Sequence, residues 1–355
     1  VRAFPKRLSP RGRPGYKGRM SIHGSLAALV LTACASAAAA ADGARALDLE
    51  PVWSGHPVGF CLLTKAPHQF AAYYDAQRRM TVAQRRLGES SWRFTKLDST
   101  LGWDSHNYVT MALDRDGRLH VAGNMHCVPL VYFRSEAPFD ASTLKRMPGM
   151  TGDREKKATY PVFLRDRAGR LVFRYRDGSS GSGDDLYNVF DEKSGAWRRL
   201  IDGPLLSGEG EMNAYAVTPR PGPDGRFHLA WVWRDTPDCA SNHDLSYARS
   251  DDLVNWTDSA GRPLALPITI RTGEIVDPVP ARGGLLNANR ELGFDNAGRP
   301  VLTYHKYDKA GDLQIHAARR GTNGWTIVQV SDWTGYRWEF SGGGTILCEV
   351  NIGAV

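Results

Sequence analysis

The sequence has little of what holds several other classes of protein together. Five cysteines in 355 residues are too few and too widely spaced for a disulfide-based scaffold. After residue 41, no apolar run is long enough to cross a membrane. Almost no segment has the apolar period of an amphipathic helix. These features exclude a disulfide-rich miniprotein, a bundle of membrane helices and a soluble helical bundle.

Most of the chain also lacks an excess of charge of either sign. Residues 1–19 contain seven Lys and Arg and no acidic residue, and the formal net charge of the whole chain is also +7. The remainder is therefore formally neutral, so the basic overall balance gives no reason to expect nucleic acid as a partner.

The N-terminal residues have the pattern of an export signal. Residues 25–41 are apolar and small and end in alanine-rich sequence after Met20, a plausible start, which is typical of a secretory signal peptide. We expect residues 1–41 to be an extension and signal peptide, residues 42–355 to be the functional domain, and the protein to be secreted or periplasmic. A lipoprotein processing site ending at Cys34 is an open alternative.

A repeated turn indicates the fold. Short strands rich in Val, Tyr, Phe, Trp and Leu flank turns that end in Gly-Arg, and the glycines are 52, 56 and 73 residues apart. Glycine supplies the positive φ that tight hairpins need, and one hairpin per repeat of about fifty residues is typical of propeller blades. The glycines are Gly117, Gly169, Gly225 and Gly298. The sequence predicts an all-β propeller of four-stranded blades.

Two further blades are predicted with less regular sequences. Residues 60–97, with a turn at 75–78, form an earlier blade. Residues 341–355 have the pattern of an inner strand without a partner, which predicts a chain that is incomplete at its C-terminus, since an open sheet edge exposes unpaired backbone. A smaller ring closed by the N-terminal segment is the alternative.

The strand ends of one propeller face carry unusual chemistry. Inner strands start, and second strands end, at the same face, so residues about ten before and seven to nine after each hairpin glycine should converge there. They are His106, Tyr160, Tyr215 and Asn289 before the glycines, and His126, Arg176, Arg234 and His305 after them. His243, in the loop after Arg234, should face the same cavity. Convergent polar groups of this kind predict a substrate site.

Each of these residues also has a purely structural interpretation. The histidines could be hydrogen-bonded core or turn residues, Tyr160 could be a core aromatic, and Arg176 could pair with Asp177 or Asp184. Cys239, four residues before His243, could form half of a structural zinc site, but two ligands do not define one. We expect no metal or cofactor to be required for catalysis.

The motifs at these positions identify a family resemblance. Asp104-Ser-His-Asn-Tyr108, Gly123-Asn-Met-His126, Thr159-Tyr-Pro161 and Arg174-Tyr-Arg-Asp-Gly178 resemble the BNR-repeat propellers related to ulvan lyases, from about residue 60 to the C-terminus. The resemblance implies seven blades and a rhamnose–glucuronate type of polysaccharide. It implies that His106 and His126 are the catalytic histidine pair, Tyr160 the acid/base and Arg176 the carboxylate-binding arginine. Cys127 departs from the pattern.

These residues favour a uronate-cleaving polysaccharide lyase. A lyase needs a cation on the uronate carboxylate, a base for the C5 proton and an acid for the leaving oxygen. A glycoside hydrolase, rhamnosidase- or sialidase-like, is the first alternative, but it commonly needs two carboxylates. The candidates Asp104, Asp177, Asp184 and Glu211 do not occupy the repeated strand-end positions. A non-catalytic carbohydrate-binding propeller is the second alternative.

Overall fold

Short strands separated by Asp–Gly turns form five successive antiparallel sheets. The computed structural model describes residues 46–355, and residues 47–355 form one compact unit. Each sheet contains four main strands that are neighbours in the chain, which is the β-propeller pattern predicted from the sequence. The predicted all-β fold and the early blade at 60–97 are confirmed.

The main strands follow the chain in order. Sheet 1 contains β1 (Cys61–Lys65), β2 (His68–Tyr74), β3 (Arg79–Arg86) and β4 (Arg93–Thr100). Sheet 2 contains β5 (Val109–Leu113), β6 (Leu119–Gly123), β8 (Tyr132–Ser135) and β9 (Leu144–Arg146), with β7 (His126–Val128) between β6 and β8 in the chain. Sheet 3 contains β10 (Ala158–Arg165), β11 (Leu171–Asp177), β12 (Asp184–Asp191) and β13 (Ala196–Arg199).

The last two sheets complete the described strands. The short strand β14 (Leu206–Ser207) pairs with β12 of sheet 3. Sheet 4 contains β15 (Asn213–Ala216), β16 (Arg220–Pro221), β17 (Phe227–Arg234), β18 (Asn242–Ser250), β19 (Trp256–Thr257) and β20 (Glu274–Asp277). Sheet 5 contains β21 (Arg290–Phe294), β22 (Pro300–Tyr307), β23 (Leu313–Gly321) and β24 (Gly324–Gln329). Three 3₁₀ turns, Ser105–Asn107, Ala141–Thr143 and Cys239–Ser241, lie in the connections.

The hairpin turns have the backbone that the repeated motif predicts. Gly117, Gly169, Gly225 and Gly298 have φ values of 82°, 73°, 75° and 74°. In the first of these turns the Asp114 N–H donates to the Arg118 carbonyl, and the Gly117 N–H donates to the Asp114 carbonyl. The early blade uses the same turn at Asp75 with a non-glycine residue, since Arg78 has φ 66°.

Replacing Gly117 by Ala is expected to lower stability more than replacing Gly88. Both glycines have positive φ, so alanine would suffer a similar backbone strain of roughly 1–2 kcal/mol at either position. A Cβ at Gly117 would lie 2.3 Å from the Phe139 ring, whereas one at Gly88 meets nothing within 4 Å. The Phe139 ring is stacked on His68 at 4.8 Å and cannot move freely. Urea unfolding of both variants measures the difference in the free energy of unfolding. Equal losses in the two variants would show that the Phe139 ring can move aside without destabilising the fold.

Aromatic side chains fill the spaces between and within the sheets. Trp231, Trp233 and Trp256 of sheet 4 are completely or almost completely buried, and their burial supplies a large apolar contribution. The Asp and Gly residues of the repeated motif lie at the turns. Within residues 46–355, no helix has the length and apolar character needed to span a membrane.

The predicted inner strand at 341–355 is wrong. These residues form no strand, and Gly342 and Gly344 have φ values of 84° and 77°, which interrupt an extended backbone. Side chains of sheet 5 and of the connection before it bind the segment instead: the Thr303 hydroxyl donates to the Gly353 carbonyl, and the Asn289 side-chain oxygen accepts from the Ile352 N–H. The signal peptide predicted at 1–41 lies outside the described residues, and the total of seven blades stays a prediction.

Candidate active site

One carboxylate holds the two predicted catalytic histidines. Asp104 precedes the turn Ser105–Asn107 and accepts a hydrogen bond from the His106 N–H at 2.9 Å. The same carboxylate contacts Nδ1 of His106 at 2.5 Å and Nδ1 of His126 through its other oxygen. The two imidazole rings stack with centroids 4.1 Å apart. The structure therefore brings together the predicted pair, with Asp104 as a shared partner.

The contacts with Asp104 define which nitrogen of each histidine can react. Burial lowers the pKa of His106 below its usual range, although the Asp104 carboxylate opposes this effect. Burial would raise the pKa of Asp104, but hydrogen bonds from the His106 backbone and from both imidazoles lower it to about 2. Since Asp104 remains ionised, each Nδ1–H donates to it. The Nε2 lone pair of the neutral His106 is left to accept a proton.

A strand that leaves its own sheet carries His126 to this position. β7 pairs with β10 of the next sheet, with His126 opposite Thr159. The adjoining residues Asn124 and Cys127 have φ values of 59° and 55°, and the Cys127 N–H donates to the Thr159 hydroxyl at 2.8 Å. Such non-glycine positive-φ residues are uncommon and often mark functional sites. Tertiary pairing with β10 therefore holds the histidine.

Tyr160 lies beside His106 at an irregularity in β10. The pairing of β10 with β11 shifts between Thr159 and Val162, and Tyr160 has φ 58°. Its ring centroid is 5.5 Å from that of His106. The surrounding protein desolvates the phenol and raises its pKa to about 12, although the charge of Arg176 acts in the opposite direction. Tyr160 is therefore protonated at neutral pH and can donate a proton.

Arg176 has only neutral partners. Its guanidinium donates to the Thr159 hydroxyl at 3.0 Å, the Cys127 sulfur at 3.2 Å and the Tyr215 hydroxyl at 3.4 Å. The side chain is 2% exposed, and its Nε–H has no partner among the described residues. Its guanidinium carbon lies 5.0 Å from the Tyr160 ring centroid. A buried guanidinium without a carboxylate partner is costly unless an anion binds.

The structural interpretation of Arg176 is wrong, because another arginine pairs with the two aspartates. Arg154 contacts Asp177 at 2.9 Å and Asp184 at 2.6 Å. Arg176 is therefore available to a ligand, as the substrate-binding hypothesis requires.

Tyr215 links Arg176 to a second buried arginine. The Tyr215 hydroxyl is 2.5 Å from the Ser180 hydroxyl. The guanidinium of Arg234 lies 5.1 Å from the Tyr215 ring centroid and donates only to backbone carbonyl oxygens, which include that of Thr236 at 3.1 Å. Arg234 is 6% exposed. Two cations thus lie near one aromatic ring, so this part of the site carries positive charge.

These residues line two adjoining cavities. The face pocket, of about 260 Å³, is lined by both histidines, Tyr160, Tyr215 and Arg234, and by residues 343–346 of the C-terminal segment. The central cavity, of about 630 Å³, shares His106, Tyr160 and Tyr215 with the face pocket and also contains Arg176. Among the residues that line either cavity, Glu291 is the one acidic residue.

Two predicted substrate-binding residues do not reach these cavities. Asn289 is 3% exposed, and its amide contacts the backbone of Val350 and Ile352. His305 is completely buried, and its Nδ1 contacts the Gly284 carbonyl at 2.6 Å. Burial lowers the pKa of His305 to about 4. Contacts with distant segments hold both side chains, so neither lines a cavity, and their predicted contact with substrate stays a prediction.

His243 and Cys239 also lie outside the two cavities. Both ring nitrogens of His243 contact carboxylates, Asp244 at 2.8 Å and Asp235 at 2.9 Å. Cys239 is buried in an apolar cluster with Leu286 and Trp338. Among the described residues, the group that could hold a metal ion is Asp104, His106 and His126; a structural zinc at Cys239 and His243 stays a prediction.

Comparisons with known proteins find a matching family model and solved structures of similar fold. A family model described as a BNR repeat-containing family member matches residues 68–333. A crystal structure of a polysaccharide lyase has 15% sequence identity and a TM-score of 0.65, covering 80% of this chain and 75% of that chain. An ulvan lyase of polysaccharide lyase family 25 has 16% identity and a TM-score of 0.62, with coverage of 81% and 75%. No curated protein sequence matches the chain.

A ligand-bound structure of that lyase family is also similar. It contains the unit -[GlcA(1-4)Rha3S]- and matches with 15% identity and a TM-score of 0.61, covering 78% of this chain and 73% of that chain. At these identities the likeness shows a common fold. Together with the family model it confirms the resemblance seen in the sequence motifs.

Proposed function

The chain belongs to the BNR repeat-containing family, and we propose that within this family it is a polysaccharide lyase acting on a uronate-containing chain. The observation that carries the proposal is Arg176, a buried guanidinium without a carboxylate partner, beside Tyr160 and close to a histidine pair. The ligand-bound relative of similar fold contains glucuronate. A rhamnose–glucuronate linkage is the proposed substrate type.

The proposed reaction is a β-elimination with two proton transfers. Nε2 of His106 removes the C5 proton of the uronate, and the electrons of that bond move onto C5 and its carboxylate. These electrons form the C4=C5 double bond as the C4–O bond breaks, and the leaving oxygen keeps the electrons of the broken bond and is protonated by the Tyr160 hydroxyl. Arg176 binds the uronate carboxylate through its planar fork and stabilises the charge that develops there when C5 loses its proton. Asp104 holds His106 in its reactive tautomer, and His126 donates to the same carboxylate and stacks on the His106 ring.

The hydrolase alternative has less support from the cavity lining. Most glycosidases use two carboxylates on opposite sides of the scissile bond, roughly 5–10 Å apart. The face pocket is lined by no acidic residue among those described, and the central cavity by Glu291 alone. Asp104 already accepts hydrogen bonds from two imidazoles. A non-catalytic binding propeller would have no need for this histidine–carboxylate arrangement.

Incubation of the purified protein with uronate polysaccharides tests the reaction class. We expect ultraviolet absorbance from the new C4=C5 double bond to grow together with the number of reducing ends. Reducing ends without that absorbance would identify a hydrolase. Binding without any new ends, over a panel that includes glucuronate–rhamnose chains, would support a carbohydrate-binding protein.

The pH dependence of kcat/KM is expected to show a broad plateau. His106 must be neutral to accept a proton, and its pKa is lowered by burial, so activity should rise with pH and level off below the usual imidazole range. Tyr160 must be protonated to donate, and its pKa of about 12 places the alkaline decline near that value. Initial rates at pH 4 to about 11 measure the acid limb and the plateau. Activity that keeps rising above pH 9 would instead assign the base role to a Tyr160 phenolate.

A further inference from the structure

The central cavity has more positive charge than the proposed reaction uses. Four arginines line it, at positions 174, 176, 220 and 290, against the single carboxylate of Glu291. Arg174 is compensated, because its Nε contacts the Asp185 carboxylate at 2.6 Å. Arg176 has its own proposed role on the uronate carboxylate. Arg220 is exposed on β16, so the remaining buried charge of the cavity lining is at Arg290.

Arg290 is a buried cation that forms no ion pair within residues 46–355. It begins β21, is 6% exposed and donates to the backbone carbonyl oxygens of Asn287 and Tyr215. Its Nε–H is buried and has no partner among the described residues. Burial lowers its pKa to about 10, although the charge of the adjoining Glu291 acts in the opposite direction. Since an unpaired buried ion is destabilising, this arrangement favours binding of an anion.

The position of Arg290 connects it with the proposed catalytic site. Tyr215 contacts both arginines: its hydroxyl accepts a hydrogen bond from Arg176, and its backbone carbonyl accepts one from Arg290. Both guanidinium groups line the same cavity of about 630 Å³. A ligand with two anionic groups can therefore meet both arginines without leaving the cavity.

We propose that Arg290 forms a second oxyanion-binding site in the central cavity, separate from the Arg176 site, which takes a sulfate or carboxylate group. Both groups match the planar donor fork of a guanidinium. The group belongs either to a sugar next to the cleaved uronate or to a free inorganic anion. The first source rests on the proposed lyase function, whereas the anion site itself does not.

Thermal unfolding with inorganic sulfate tests the anion site without any assay of activity. At constant ionic strength, millimolar sulfate is expected to raise the melting temperature of the wild-type protein by roughly 2–4 °C at about ten times Kd. Arg290→Met should show a smaller shift, which leaves any contribution of Arg176, and Arg290→Lys, which keeps the charge without the fork, should lie between Arg290→Met and the wild-type protein. Arg198→Met is the matched control: Arg198 is exposed on β13, so its loss should leave the shift unchanged.

Steady-state kinetics with the polysaccharide distinguishes the two sources of the oxyanion. If the substrate supplies it, sulfate raises KM severalfold for the wild-type protein and not for Arg290→Met. If the site takes a free anion, sulfate raises the melting temperature and leaves KM unchanged. Equal sulfate shifts in the wild-type, Arg290→Met and Arg290→Lys proteins would overturn the anion site. That result is independent of double-bond formation, so the lyase proposal is judged separately.

Discussion

Replacing Asp104 by Asn is expected to lower kcat by on the order of 100- to 10,000-fold. The Asp104 carboxylate accepts from Nδ1 of both His106 and His126. An amide can accept through its oxygen and must donate through its nitrogen, so it cannot accept from both rings. The amide oxygen that keeps the cap stays on the His106 side, so the amide nitrogen faces Nδ1 of His126, and that imidazole must move its proton to Nε2. The loss of negative charge also makes His106 a weaker base.

The fold should survive this substitution. Asn is as good as Asp at the start of a helical turn, so the cap on Ser105–Asn107 is kept and the melting temperature should change by at most a few degrees. Asp140→Asn is the matched control, because Asp140 caps the turn Ala141–Thr143 in the same way and has no histidine partner. Double-bond formation and melting temperature should be measured on both variants. A kcat for Asp104→Asn within a few-fold of wild type would remove the shared-carboxylate arrangement from the mechanism.

The second large effect is expected for Arg176→Lys. Lysine keeps the positive charge but loses the planar two-point contact with a carboxylate. Charge on the substrate carboxylate grows as C5 loses its proton, so the loss should appear mainly in kcat and less in KM. A contact of this kind contributes roughly 2–4 kcal/mol, or about 30- to 1000-fold in rate. Arg176→Ala should be slower still.

Arg154→Lys is the matched control for Arg176→Lys. Arg154 holds Asp177 and Asp184 through two ion pairs of the same sheet, so its replacement should lower the melting temperature and leave kcat near normal. The two variants should therefore show opposite patterns of rate and stability. If Arg176→Lys instead gave a normal kcat with reduced stability, Arg176 would be part of the scaffold, and the proposed lyase would lose its carboxylate-binding group.

The sequence by itself determined the repeated sheets and much of the site. A hairpin turn depends on local backbone conformation, so the glycines at 117, 169, 225 and 298 located the first two strands of four sheets. Because inner strands start at one face of each sheet, counting from those glycines also found His106, His126, Tyr160 and Arg176. These residues do meet in the structure.

The same counting failed where the outcome depended on packing between distant segments. Asn289 and His305 occupy equivalent positions in sheet 5, yet contacts with Val350 and Gly284 bury their side chains. The segment 341–355 has apolar residues typical of a strand, but glycines with positive φ and contacts with Asn289 and Thr303 prevent a regular ladder. No local pattern contains these interactions.

Tertiary structure alone decided the electrostatics of the site. Asp104 became a shared partner because β7 leaves sheet 2 and brings His126 to the turn before β5. Arg154, twenty-three residues before Asp177, forms the ion pair with Asp177 that the sequence allowed for Arg176. Burial raised the pKa of Tyr160 although a nearby arginine lowers it. Turns and strand alternation depend on neighbours in the chain, so the sequence could predict them. Ion pairing and desolvation depend on which groups are close in space, so only the tertiary structure could show them.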